Sequence, residues 1–164
     1  IITLFEKNKY LGLLTPPVPK HGAYYPTTGK GEWGDNFDVA KELAEQLGLN
    51  VDMNRQKEPV APLGSMFWVR TKALKALFDH DWKYDEFPKE PIDTDATVLH
   101  AIERIYPFVV QHEGYYPGWV MSDWFARIEI TNWEFINREI EKAAFEKVGY
   151  CDFRELLSRI KELS

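Results

Sequence analysis

The residues with the clearest capacity for chemistry lie in one acidic stretch, residues 90–104. Asp93 and Asp95 alternate across Thr94, and carboxylates spaced in this way on an extended turn can converge on one hard divalent cation. Asp and Thr are also preferred at helix N-caps, where their side-chain oxygens accept hydrogen bonds from free backbone amides. The spacing favours the capping role and leaves the metal-binding role open.

A histidine and two charged residues follow on the helix predicted at residues 95–105. His100 and Glu103 are one helical turn apart, and Arg104 lies four residues beyond His100. A carboxylate beside a histidine can orient or tune a general base, although exposed neighbours on a helix give the same spacing. The histidines show no zinc-binding spacing, and nucleotide-phosphate fingerprints are absent. Gly64 and Ser65 also lack the second glycine of a nucleophile elbow.

The elements that must position these residues are predicted from hydrophobic periodicity and from helix and strand breakers. Helices are predicted at residues 1–8, 35–47, 71–78, 95–105, 131–148 and 152–160. Strands are predicted at residues 11–15, 63–70 and 115–121. Pro107 is expected to kink or end the fourth helix, and Pro117 to confine the last strand to a sheet edge. The pattern predicts a helix-rich α/β protein with a small sheet, forming one domain over residues 1–164.

A long segment without periodicity, residues 15–34, separates the first strand from the second helix. It carries prolines and glycines together with Tyr24, Tyr25 and Trp33, in a chain whose aromatic content reaches 15%. Long loops of this kind are often lids or binding loops, and aromatic faces suit sugar stacking as well as core packing. The alternative is a surface wrap pinned by its aromatic residues.

Net charge, hydrophobicity and cysteine content restrict the class of protein. The 164 residues carry a net charge of −6 and no basic block, which argues against nucleic acid as a partner. No apolar run approaches the ~20 residues needed to span a bilayer. The single Cys151 excludes an internal disulfide and fits a reducing compartment. The amphipathic start at Ile1, without Met, predicts a piece of a longer protein.

Three stretches together resemble a known family. Residues 61–70 (APLGSMFWVR), 87–91 (FPKEP) and 95–104 (DATVLHAIER) are similar to the rhamnan synthesis protein F family. Supporting stretches are residues 9–14, 21–26, 33–37 and 122–127. The family-like region covers residues 1–130, and residues 131–164 add C-terminal helices. One departure is Ala96, which stands where the family's pattern has glycine.

The resemblance implies a role in building rhamnose-containing cell-wall or surface polysaccharides, by a glycosyltransferase of the A-type fold. This chain would be the C-terminal, acceptor-side part of that domain, inactive alone because the nucleotide-binding half lies upstream. Asp95 is then the expected base that deprotonates the acceptor hydroxyl, with His100 and Glu103 completing the expected catalytic set. The residues expected to bind substrate are Tyr24, Tyr25, Trp33, Ser65, Trp68 and Arg104.

The same resemblance implies partners and a compartment. The full-length protein is expected to use a glycan acceptor and a nucleotide-sugar donor, dTDP-rhamnose. A divalent metal would belong to the missing upstream half, and no metal or other cofactor is expected in this chain. The missing N-terminal half or a partner transferase domain is itself an expected partner. The expected location is the cytoplasm, at the inner face of the membrane.

Two alternatives stay open. One is a non-catalytic carbohydrate-binding or scaffolding module. The other is a structural domain, whose aromatic residues would be buried and whose Asp95 would bond only to backbone amides.

Overall fold

The computed structural model describes residues 1–17, 33–57, 59–148 and 158, and the chain forms two compact units, residues 1–120 and 121–164. The first unit contains, in chain order, helix α1 (Ile2–Lys7), strand β1 (Leu11–Thr15), helix α2 (Phe37–Gln46), strand β2 (Trp68–Val69), a 3₁₀ turn (Thr71–Leu74) continuing into helix α3 (Lys75–Asp79), a second 3₁₀ turn (Tyr84–Glu86), helix α4 (Val98–His112) and strand β3 (Tyr116–Trp119). The second unit contains helix α5 (Asp123–Val148). The predicted helix-rich α/β class with a small sheet is confirmed, and a single domain over residues 1–164 stays a prediction.

The sheet of the first unit is mixed, with strand order β2-β1-β3. β1 pairs antiparallel with β2, with Leu13 opposite Val69, and parallel with β3, with Leu13 opposite Pro117. Pro117 lies on an edge strand as predicted, because proline has no N–H to donate to a second neighbour.

The second strand is much shorter than the predicted span of residues 63–70. Gly64 and Ser65 have φ values of 79° and 55°, in the left-handed region that an extended strand does not use. The N–H of Ser65 donates to Pro62 O at 2.7 Å. Residues 62–66 therefore form a turn, and only Trp68–Val69 pair with β1.

Helix α4 supplies the centre of the core in the first unit. Its buried residues include Ala101, Ile105 and Val109, which pack with the buried face of α2 and with Leu13. The prediction that α4 starts at residue 95 is wrong, because Ala96 has a φ of 59° and cannot begin a right-handed helix.

The predicted end of this helix near Pro107 is also wrong. Pro107 lies inside α4 and is buried, and the helix continues to His112. The side chain of Gln111 donates to Pro107 O at 3.1 Å. A proline removes one backbone hydrogen bond from a helix, and the surrounding core holds the helical path despite that loss.

Helix α2 confirms the prediction for residues 35–47, apart from its first residues. Residues 33–36 form a turn closed by the N–H of Asn36 donating to Trp33 O at 3.0 Å. At the other end Gly48 has a φ of 65°, and its N–H bonds to Glu45 O, so it caps the helix as predicted. Phe37 and Leu43 are among the residues that α2 buries.

The second unit is described as one helix, α5. The predicted helix start at Thr131 is wrong, since α5 begins at Asp123 and passes through that position. Ser122 stands just before the helix, and its Oγ accepts from the N–H of Phe125 at 3.2 Å, as an N-cap does. The predicted cap at Gly149 and the helix at residues 152–160 lie outside the described residues, apart from Ser158, which is helical.

Candidate functional site

The acidic turn before α4 is tied to the turn before α2 by one carboxylate and one amide. Asp95 Oδ2 accepts a hydrogen bond from the N–H of Asp35 at 3.0 Å, and Asp95 Oδ1 accepts one from Asn36 Nδ2. Asn36 Oδ1 accepts from the N–H of Ala96 at 2.8 Å. Asn36 is fully buried, and its Nδ2 also donates to Trp33 O at 3.0 Å. We call this arrangement the Asn36–Asp95 tether.

The charge state of Asp95 follows from the tether. Partial burial of the carboxylate favours its protonated form and acts to raise the pKa. Hydrogen bonds from the N–H of Asp35 and from the side chain of Asn36 oppose that effect, and the neighbouring N–H of Ala96 acts in the same direction. The nearby His100 adds a smaller contribution, and together these interactions hold the pKa of Asp95 below its usual value. Asp95 is therefore a fixed carboxylate that stays ionised at neutral pH.

The backbone on both sides of the tether is in the left-handed region. Gly34 has a φ of 55°, and a Cβ at this position would lie 2.7 Å from Asp95 Oδ2. Only glycine lets the carboxylate approach this closely. Ala96 has a φ of 59°, a conformation that costs an L-residue roughly 1–2 kcal/mol. The backbone conformation at position 96 thus favours glycine, the residue that the resemblance leads us to expect there.

His100 lies near the tether, in the first turn of α4. Its Nδ1 is 2.8 Å from Oγ1 of Thr97, the residue that precedes the helix. The imidazole also contributes to the low pKa of Asp95, so the two side chains are within electrostatic reach. Asp95 and His100 are both predicted site residues, and the catalytic role of each stays a prediction.

One turn further along α4, Glu103 holds the turn at residues 62–66. Its Oε1 accepts a hydrogen bond from the N–H of Gly64, and its Oε2 pairs with the Arg104 guanidinium. Burial raises the pKa of Tyr106, and the negative charge of Glu103 raises it further. Through its hydrogen bond from Gly64, Glu103 positions the turn that carries the exposed Ser65.

The three aromatic residues predicted in the 15–34 segment have different outcomes. Trp33 is 5% exposed, its ring is 5.7 Å from that of Phe108, and its Nε1 donates to Lys57 O at 2.7 Å. Its indole therefore belongs to the core and offers no open face to a sugar. Tyr24 and Tyr25 lie outside the described residues.

The remaining predicted substrate-binding residues differ in exposure. Trp68 is 50% exposed and lies opposite Leu14 in the sheet, so its ring is accessible. The Arg104 side chain is 11% exposed, and it is occupied by Glu103. The structure thus brings together Asp95 and His100, and one turn away Glu103, Arg104 and the turn bearing Ser65.

Sequence reasoning missed Asn36 as a site residue, although its side chain makes three of the site's hydrogen bonds. A signal was present, because Asn directly before a helix is a preferred N-cap. The side chain of Asn36 makes no capping bond and instead reaches Asp95, 59 residues away. The N-cap position therefore draws attention to Asn36 but does not reveal its partner, Asp95.

The metal hypothesis for Asp93 and Asp95 finds no supporting geometry in the part of the chain that the structure describes. Within those residues no three His, Cys, Asp or Glu side chains are grouped so that they could hold a metal ion. The oxygens of Asp95 face N–H donors, which compete with a cation. In the same described ranges, no helix is both long and apolar enough for a membrane crossing.

Comparison with protein families gives a match over residues 1–115, to the family described as rhamnan synthesis protein F. The chain belongs to this family. Two curated relatives are each 44% identical to it, over 117 and 83 residues. Both are named uncharacterized protein WxcX, one from Xanthomonas campestris pv. campestris strain B100 and one from a second strain of the same pathovar.

These alignments cover different shares of the two proteins. They span 70% and 50% of this chain, but 15% and 11% of the relatives. The chain therefore corresponds to a small part of each relative's length. No solved structure gives a significant match. Membership of the rhamnan synthesis protein F family confirms the resemblance and connects the chain with polysaccharide synthesis.

Proposed function

We propose that the full-length protein containing this chain is a glycosyltransferase that builds rhamnose-containing polysaccharide, and that this chain is the acceptor-side part of its A-type domain. Family membership over residues 1–115 is the observation that carries the proposal. The donor in this proposal is dTDP-rhamnose, the acceptor is a growing glycan, and transfer takes place in the cytoplasm at the membrane's inner face.

In the proposed reaction Asp95 acts on the acceptor. The acceptor hydroxyl oxygen attacks the anomeric carbon of the donor sugar, and the bond from that carbon to the nucleoside diphosphate breaks. Asp95 takes the hydroxyl proton, and the diphosphate leaves with the bonding electrons. A base in this role must reach the hydroxyl directly or through one water. His100 and Glu103 assist by electrostatics and by positioning.

The geometry of Asp95 suits this role in two respects. The tether fixes the carboxylate, and a carboxylate has about four lone-pair sites, so the two oxygens keep capacity beyond the bonds from Asp35 and Asn36. Its low pKa keeps it ionised but makes it a weak base. A weak base suffices when the proton moves late, because the hydroxyl becomes acidic as its oxygen bonds to the sugar.

A second candidate function is a scaffold or carbohydrate-binding part without catalysis. The buried Trp33 ring favours the scaffold over the carbohydrate-binding part, because it offers no face to a sugar. The bonding of Asp95 to a backbone N–H and a side-chain amide also favours the scaffold. In that case the tether only joins α2 to α4, and the chemistry belongs to other parts of the protein.

Transfer assays test the proposal. The full-length protein should move labelled rhamnose from dTDP-rhamnose to a glycan acceptor, and the 164-residue chain alone should not. Asp95→Asn in the full-length protein should abolish transfer while acceptor binding persists. Turnover by the isolated chain would overturn the inactive-fragment claim, and full transfer by Asp95→Asn would favour the scaffold.

A further inference from the structure

An open groove lies on the first unit, between residues 50–57, 59 and 60 on one side and the last turns of α4 on the other. Its volume is about 550 Å³, within the range of small-molecule sites. Its lining residues combine amide, charged and flat apolar side chains: Asn50, Val51, Asp52, Asn54, Lys57, Pro59, Val60, Pro107, Phe108 and Gln111. None of the predicted site residues lines it.

The chemistry of this lining fits an uncharged polyhydroxylated ligand. Asn54 and Gln111 carry both N–H donors and carbonyl acceptors, as the alternating hydroxyl groups of a sugar require. Asp52 and Lys57 have opposite charges and cancel, which gives no preference for a charged ligand. The half-buried Val51 and Val60 supply an apolar wall against which the C–H groups of a pyranose can pack.

The wall formed by residues 50–57, 59 and 60 is held in place by several hydrogen bonds. The N–H of Asn50 donates to His112 Nδ1 at 3.0 Å, and Asn54 Oδ1 accepts from the N–H of Gln56 at 2.8 Å. Trp33 Nε1 anchors the carbonyl of Lys57 to the core. The wall is thus attached both to the end of α4 and to the core, and pre-formed sites bind at lower entropic cost.

Two groups on this wall are available to a ligand. The residues Asn50 and Asp52 are exposed, and their side chains make no hydrogen bond or ion pair to another residue that the structure describes. These two side chains can therefore bind a ligand without breaking an existing contact.

We propose that this groove is a saccharide subsite, which binds the glycan at a sugar some distance from its reacting end. Ten residues of α4 separate Val98, at the start of the helix, from Phe108, which corresponds to about 15 Å. That distance suits contact with a sugar a few units removed from an acceptor at Asp95. The identity of the sugar rests on the proposed function, whereas the groove's preference for a neutral saccharide rests on its lining.

The test is direct binding of a rhamnose trisaccharide to the 164-residue chain, measured by calorimetry and by amide NMR. We expect the side-chain amide signals of Asn50, Asn54 and Gln111 to shift. The double variant Asn50→Ala with Asp52→Ala should bind at least about tenfold more weakly, since two lost hydrogen bonds exceed the 1.4 kcal/mol that corresponds to tenfold. Its unfolding midpoint should match that of the unsubstituted chain.

Gln46→Ala is the matched control, because it removes an exposed amide on α2 outside the groove. It should leave the affinity unchanged. Equal affinity of the double variant and the unsubstituted chain would overturn the proposal. Shifts confined to other residues, or no binding at about 10 mM trisaccharide, would also overturn it.

The groove and the proposed function can fail separately. Trisaccharide binding in the groove with no transfer by the full-length protein would leave the subsite standing and remove the transferase. If the full-length protein transfers the sugar and the double substitution leaves the acceptor KM unchanged, the transferase proposal stands and the subsite is removed.

Discussion

Replacing Asn36 by Ala should destabilise the first unit more than any exposed substitution. The variant loses a hydrogen bond to the charged Asp95, one to Trp33 O and one from the N–H of Ala96. A hydrogen bond to a charged group contributes about 1.5–3 kcal/mol and a neutral one about 1 kcal/mol, so the expected loss for one charged and two neutral bonds is about 3.5–5 kcal/mol. The side chain does not cap α2, so the loss reports the tether alone.

Urea unfolding followed by tryptophan fluorescence measures this loss, since the buried Trp33 changes environment on unfolding. The melting temperature should fall by about 10 °C or more, given the size of the unit. Asn50→Ala is the control, because it deletes the same chemical group from an exposed site, and it should change the free energy of unfolding by less than about 0.5 kcal/mol. A loss below about 1 kcal/mol for Asn36→Ala would refute the tether.

Three further predictions concern strain, pH and charge around the same site. Ala96→Gly should stabilise the chain by about 0.5–1 kcal/mol, because relief of the left-handed conformation exceeds the entropic cost of glycine; a lower urea midpoint would contradict this. The folded-state pKa of Asp95 is depressed, so its contribution to the free energy of unfolding is complete above the unfolded pKa near 4. That contribution is lost as pH falls through the folded value. Urea unfolding at pH 6 and at pH 3 should therefore show a smaller loss of stability between the two pH values in Asp95→Asn than in the unsubstituted chain. Glu103→Gln should lower the pKa of Tyr106, because a negative charge that raises it is removed; difference titration against Tyr106→Phe measures this, and an unchanged pKa would contradict the electrostatic contact.

Local patterns in the sequence predicted the elements whose formation is governed by nearby residues. The amphipathic spacing of Phe37, Ala40 and Leu43 gave helix α2, and Gly48 gave its end. The apolar run at residues 11–15 gave β1. These features depend on periodicity and capping, which a single sequence displays.

The failures have a common physical origin in backbone conformation and long-range contacts. The span of β2 was overestimated because Gly64 and Ser65 adopt positive φ, stabilised by a bond from Gly64 to Glu103, 39 residues away. The start of α4 was placed too early because Ala96 is held in the left-handed region by Asn36. A non-glycine residue in that region carries no local signal.

The candidate site was predicted in part. Asp95 and His100 were singled out and lie near each other, but the role of Asn36 depends on a contact across 59 residues, which spacing cannot reveal. The burial of Trp33 was also open, because an aromatic residue suits a core and a sugar-binding surface equally well.

The most direct test of Asp95 as the base compares transfer by Asp95→Asn and Asn36→Ala in the full-length protein, at a temperature where both variants are folded. Both break the Asn36–Asp95 tether, but only Asp95→Asn removes the carboxylate. Loss of a general base costs about 10²–10⁴-fold in rate, so kcat should fall by that factor in Asp95→Asn and by less than about tenfold in Asn36→Ala. Equal losses in the two variants would contradict the proposal and leave Asp95 a structural residue.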